Sequence, residues 1–163
     1  MTIPTISIAL RSILMADRSD THITIGGTVS TQQFETICAH IAEYRLATEW
    51  DGYAFQPSHL QNGGTLDLFG RSLPGGCPEE LEAFCVANVL PYWRWSGACY
   101  GAYDPEIVIY RGDGTAISTY GASDSEHPFV SIAELKAITS LDAVHELVRL
   151  ADFTPPAFVV VDD

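Results

Sequence analysis

The sequence predicts an α+β fold: one domain over residues 1–163, with a mostly antiparallel sheet of about six to seven strands and three to four helices packed mainly on one face. Three observations lead there. Residues 92–121 read as three consecutive strands, holding two of the three tryptophans and four of the seven tyrosines between Tyr92 and Tyr110. Helix start signals precede the stretches of helical periodicity. Strands and helices do not alternate regularly, as a parallel βαβ sheet would require.

Residues 5–14 alternate apolar and polar (Ile6, Ile8, Leu10) and are expected to form a first strand. The polar cluster Asp17-Arg18-Ser19-Asp20 is read as a turn, and residues 22–29, alternating around Ile23, Ile25 and Val29, complete a hairpin. Ser30 and Gln33 form a capping-box pair ahead of Phe34, Ile37, Cys38, Ile41 and Tyr44, whose spacing predicts a helix over 31–48 broken by Asp51-Gly52. Residues 53–64 read as a loop, with a short strand at 53–55 and turn chemistry in Asn62-Gly63-Gly64. A strand follows over 65–70, then a loop over 71–77.

Pro78 suits the first turn of a second helix, where its missing N–H costs nothing, and Glu79, Glu80 and Glu82 complement the positive end of the dipole. Leu81, Phe84, Cys85 and Val89 form its apolar stripe, and Pro91 stops it. In the aromatic strand, Trp93, Trp95, Gly97 and Cys99 share one face, while Tyr92, Arg94, Ser96 and Tyr100 share the other. Asp113-Gly114 suits a two-residue type I′ turn, pairing Tyr110 with Ile117 and Val108 with Thr119. Residues 121–128 form a polar loop. Ser131 with Glu134 makes a second capping box, Ser140 caps a further helix, and residues 157–161 are a last strand after Pro155-Pro156.

Composition supports a folded chain: hydrophobic residues make up 47% and mean hydropathy is +0.11. The charge is strongly acidic, with 21 Asp and Glu against 8 Lys and Arg, a net −13. Residues 112–163 carry 9 acids and 2 bases, about twice the acid excess per residue of the rest. Such a field repels phosphate backbones and disfavours direct nucleic-acid binding, while it favours basic partners. No run of about 18 apolar residues is present, so no membrane span is expected. The N-terminus has no basic n-region and Arg11 interrupts its apolar run, so a signal peptide is not expected either.

The four cysteines (Cys38, Cys77, Cys85, Cys99) match no Cys-x-x-Cys spacing and are read as reduced, in a cytoplasmic protein.

The motif inventory is thin. Gly26-Gly27 before a helix start lacks the third glycine of a dinucleotide fingerprint and the lysine of a P-loop. Arg111-Gly112-Asp113 is explained by a hairpin turn. Asp124, Glu126 and His127 form the densest group of candidate ligands or acid/base residues. Cys77 precedes a helix start, where a thiol pKa can fall, and His59 or His127 would have to be its base. The sequence implies no cofactor and no metal.

The expected function is a non-enzymatic acidic interaction protein of inhibitor, immunity or nucleic-acid-mimic type, docking on a basic surface of a partner protein. Its contact residues would be Trp93, Arg94, Trp95, Tyr100, Tyr103, Asp124 and Glu126, residue types that dominate or complement binding hot spots. The alternative is a small enzyme or a small-ligand or metal binder, with a pocket near loops 53–64 and 121–128 using Asp124, Glu126, His127, Cys77 and His59. A homodimer through an exposed sheet face or through the edge of the last strand is a further expectation.

Overall fold

The computed structural model describes residues 17–162. Its elements are β1 (Arg18–Ile25), β2 (Gly27–Ser30), α1 (Thr31–Tyr44), β3 (Leu66–Pro74), α2 (Glu79–Ala87), β4 (Tyr92–Ser96), β5 (Glu106–Tyr110), β6 (Ser118–Gly121), α3 (Ile132–Ala137), α4 (Leu141–Ala151) and β7 (Phe158–Val161). Five strands form an antiparallel sheet in the order β3-β1-β4-β5-β6, and β2 pairs with β7 in a small parallel sheet. This is the α+β architecture the sequence predicts. The strand expected over 5–14, and the hairpin it would make, lie outside the described residues.

Period-two alternation gives the sheet two unlike faces. On the first, Ile23, Ile25, Leu66, Leu68, Tyr92 and Val108 pack against Ile37 and Ile41 of α1 and Leu81 and Cys85 of α2. On the second lie His22 and Thr24 of β1, Phe69 of β3, Trp93 and Trp95 of β4, and Ile107 and Ile109 of β5. A smaller core of Trp95, Ile107, Ile109 and Ala122 forms there, with Trp50, Trp93, Tyr120 and Phe153 packed around it.

The helix starts are as read. Ser30 accepts the Gln33 N–H at 3.2 Å while Gln33 accepts the Ser30 N–H at 2.9 Å. Ser131 and Glu134 repeat the arrangement at 3.1 and 2.8 Å, and Ser140 accepts the Ala143 N–H at 3.2 Å. These side chains satisfy backbone donors that the first helical turn leaves unpaired.

Several boundaries differ from the sequence reading. The cluster 17–20 is no turn: Arg18, Ser19 and Asp20 belong to β1, which pairs with β3 as far as Arg18↔Pro74 across an irregularity between Ser19 and Thr21. Asp20 accepts the Ser72 N–H at 3.0 Å and pairs with the Arg71 guanidinium, so its polarity serves the ladder's end. β3 accordingly runs four residues past Gly70. Helix α1 stops at Tyr44, not 48, because Arg45 turns left-handed (φ 54°, ψ 42°) and Leu46 donates back to the Ile41 carbonyl. The strand expected at 53–55 is reduced to a single bridge, Ala47↔Ala54.

The β5–β6 register is the expected one, Val108↔Thr119. The tight turn is not formed: β6 starts at Ser118, and residues 111–117 make a wider loop in which Asp113 accepts the Thr115 N–H at 2.9 Å.

Candidate functional site

The second sheet face is the place where the chain's chemistry collects. All three tryptophans lie on it. Trp95 is buried (6% exposed), its indole edge-on to Trp50 at 6.3 Å, and Trp50 stands edge-on to Phe69 at 5.0 Å. Trp93 is half-buried and meets the His22 ring edge-on at 5.3 Å, while His22 stacks on Phe69 at 4.1 Å. The lid over this surface is the loop 121–130. The Trp95 indole N–H donates to the Ser123 carbonyl at 2.9 Å, and Ser123 Oγ accepts the Ser125 and His127 N–H groups.

His22 is the chemical centre of the face. Its Nδ1 lies 2.7 Å from Glu126 Oε2 and its Nε2 lies 3.8 Å from Asp67 Oδ1, the second an ion-pair distance and too long for a hydrogen bond. Asp67 is held in turn by the hydroxyls of Thr24 at 2.7 Å and Thr65 at 2.8 Å. Burial works to lower the His22 pKa, but the flanking Asp67 and Glu126 carboxylates outweigh it and the net shift is upward. The same imidazole, with Thr24 and Thr65, pulls Asp67 down to about 2. Nδ1 is bound to Glu126 and Nε2 faces Asp67 at ion-pair distance, so the residue ties β1, β3 and the loop together.

Two recesses open on this face, and Glu126 lines both. One, bounded by Asp20, Trp50, Arg71, Trp95, Asp124 and Glu126, encloses about 360 Å³. The other, about 510 Å³, lies between Trp93, Phe153 and the helices α3 and α4. A larger cleft of about 800 Å³ wraps the outer side of β3 around Trp50 and Arg71. Within it Arg71 donates to Asp51 at 2.8 and 3.0 Å, pairs with Asp20, and lies 4.5 Å over the Trp50 ring.

No protein-family model, no curated protein and no solved structure matches this chain.

Of the seven expected contact residues, Trp93, Trp95, Asp124 and Glu126 come together on the second face. Arg94 does not. It is 4% exposed on the first face, in an ion triad with Glu82 of α2 and with Glu106 of β5 at 3.0 Å. Burial lowers the Arg94 pKa and raises that of Glu82, yet the net Arg94 shift is upward because Glu82 and Glu106 stabilise its charge. Arg94 holds α2 to the sheet and is inaccessible to a partner. Tyr100 is fully exposed beyond the end of β4, and the Tyr103 hydroxyl lies 3.3 Å from Ser19 Oγ near the start of β1. Neither borders the two recesses.

The alternative ligand set is dispersed. Asp124, Glu126 and His127 share one loop. Cys77 precedes α2 in the surroundings of Glu82 and Arg94, with burial pushing its thiol up to about 11, which leaves it protonated at neutral pH. His59 sits in a short 3-10 turn, Pro57–His59, where its Nδ1 accepts the Gln56 N–H at 3.2 Å. Among the described residues, no group of three or more His, Cys, Asp or Glu side chains is placed to hold a metal ion. The sequence reading passed over His22, Trp50 and Asp67. Alternation with Ile23 and Ile25 sets His22 on the face opposite those residues, as alternation with Leu66 and Leu68 does Asp67; Trp50 carries no comparable signal.

Proposed function

We propose that the chain is an acidic, non-enzymatic interaction module that docks on a basic surface of a partner protein through the second sheet face. The observation that carries this reading is the convergence of Trp50, Trp93 and Trp95 on one partly open face bordered by Asp20, Asp124 and Glu126. Tryptophan offers a large, rigid contact area, and its ring face attracts cations. The surrounding carboxylates and the net −13 charge steer basic surfaces toward it. Burial pushes the Cys77 thiol up to about 11, so it is no ready nucleophile at neutral pH, which favours the interaction reading over a cysteine-based reaction.

The four unpaired thiols suit a reducing, cytoplasmic setting. Among the described residues no helix is long and apolar enough to cross a membrane.

The test is a titration with an arginine-rich peptide, following tryptophan fluorescence at several salt concentrations. The expected result is binding that weakens as salt rises and drops about tenfold in Trp93→Ala, the size of an ordinary hot-spot loss. Equal affinity for an acidic peptide of the same length, or binding indifferent to both salt and Trp93, overturns the proposal.

A further inference from the structure

Among the described residues, helices α3 and α4 leave an apolar surface without a partner. Leu141, Val144, Leu147, Val148 and Ala151 recur at helical spacing along α4, yet neither helix has a single buried residue. Ile132 is 72% exposed, Leu135 53%, Leu141 68% and Val148 57%. Taking such side chains out of water is favourable, so this surface favours being covered. The recess beside it is the 510 Å³ groove, walled by Leu135, Val144, Leu147 and Val148 on one side and by Trp93 and Phe153 on the other.

Charge selects among the occupants. Residues 122–153 hold six acids and two bases; Asp152 lines the groove, and so does Glu126, which also engages His22. One of the two bases, Arg149, is engaged by Glu146 at 2.7 and 2.8 Å. The nearby Arg111 donates to the Leu150 carbonyl at 2.6 Å and lies 4.7 Å over the Phe153 ring. A second copy of a −13 chain is repelled from such a rim, and so is an anionic lipid surface.

Shape narrows the choice further. The lining residues come from β4, the loop 121–130, the two helices and the segment after α4, and the sheet's edge strands β3 and β6 contribute none. A partner entering here is met by side chains and cannot extend the sheet.

We infer that the groove between Trp93 and α4 binds an amphipathic helix with basic flanks, its apolar stripe seated on Leu147, Val148 and Trp93 and its lysines or arginines facing Glu126 and Asp152. This rests on the proposed docking to a basic partner and adds the partner's secondary structure and its seat.

The probes are three synthetic peptides of about 14 residues, long enough to span the roughly 16 Å of α4. One is a leucine–lysine amphipathic helix, one is the same composition scrambled to abolish the apolar stripe, and one is the leucine–glutamate equivalent. Binding to the full chain is read by tryptophan fluorescence and by peptide circular dichroism. The expected result is that the leucine–lysine helix binds at least about tenfold tighter than either other peptide and gains helicity on binding. Val148→Asp, a change at an exposed position, should then lose about tenfold in affinity, and Asp152→Asn should flatten the salt dependence.

If the scrambled basic peptide binds as well as the amphipathic one, the helix-in-groove inference falls and docking on a basic partner stands. If neither basic peptide binds, both fall. Self-association of the chain that Val148→Asp abolishes assigns the groove to a second copy and likewise overturns the inference.

Discussion

His22 Nδ1 lies 2.7 Å from Glu126 Oε2, across 104 positions of sequence, joining a central strand to the loop that covers the tryptophan face. With Asp67 on the other side, the imidazole is clamped between two carboxylates on two different elements, which favour its protonated form. The Glu126 backbone is left-handed (φ 64°), a conformation a non-glycine residue holds only when its surroundings enforce it.

This clamp sets a pH window. The His22 pKa is raised above its ordinary 6.5, so its stabilisation is complete below about that pH and disappears as pH climbs through the folded-state value. The Asp67 pKa is lowered from 3.8 to about 2, so its share is complete above about pH 4 and is lost as pH falls through about 2. The stability gap between the native chain and His22→Gln should therefore be widest between about pH 4 and 6.5. Urea melts across pH measure it, and an NMR-titrated His22 pKa at or below 6.5 contradicts the clamp.

The Glu82–Arg94–Glu106 triad makes a second prediction. Arg94 is nearly inaccessible, and the burial that raises the Glu82 pKa is offset in part by the guanidinium beside it. Arg94→Met should cost about 3–5 kcal/mol, because it strands a buried carboxylate. Adding Glu82→Gln should recover a large part of that loss, since the stranded charge goes with it. Denaturant unfolding of the two variants decides; equal stability of single and double variants counts against a coupled pair.

How much of this was readable in the chain follows from which residues act locally. The caps at Ser30, Ser131 and Ser140 satisfy donors three residues away, and all three helix starts are where those pairs put them. The alternation of Tyr92, Arg94 and Ser96 against Trp93 and Trp95 likewise fixes the two faces of β4. What alternation cannot say is which face receives the helices, and so Arg94 read as a surface contact although Glu82 of α2 buries it. Asp17-Arg18-Ser19-Asp20 has turn composition, and only the distant Arg71, Ser72 and Pro74 make three of its four residues part of a strand. His22, Trp50 and Asp67 meet through pairings more than 40 residues apart or through the packing of a loop, which no local pattern encodes.

Gly26 separates close approach from backbone freedom. A Cβ there would sit 2.1 Å from the Pro156 carbonyl oxygen, at the passage between β1 and the β2–β7 pair. At Gly114, φ is +76° but nothing lies within 4 Å of such a Cβ. Gly26→Ala should therefore cost about 3 kcal/mol through backbone displacement, and Gly114→Ala about 1 kcal/mol through conformation alone. Thermal melts of the two variants test the order, and a milder effect at Gly26 than at Gly114 rules out the packed crossing.

Trp95 and Trp93 should respond differently to truncation although they are two residues apart on one face. Trp95 is buried and its indole N–H supplies the Ser123 carbonyl with a donor at 2.9 Å, whereas Trp93 is only half-buried beside the groove. Trp95→Ala should cost about 3–5 kcal/mol and Trp93→Ala about 1–2 kcal/mol, which leaves the second variant folded for binding work. Trp95→Phe keeps most of the apolar volume and removes the donor, so it should cost about 1–2 kcal/mol. It should also speed amide hydrogen exchange at His127, whose N–H is held by Ser123 Oγ at 3.2 Å. If exchange in the loop is unchanged while stability falls, Trp95 supports the sheet core and the loop is held by its other contacts, the His22–Glu126 pair and its backbone hydrogen bonds among them.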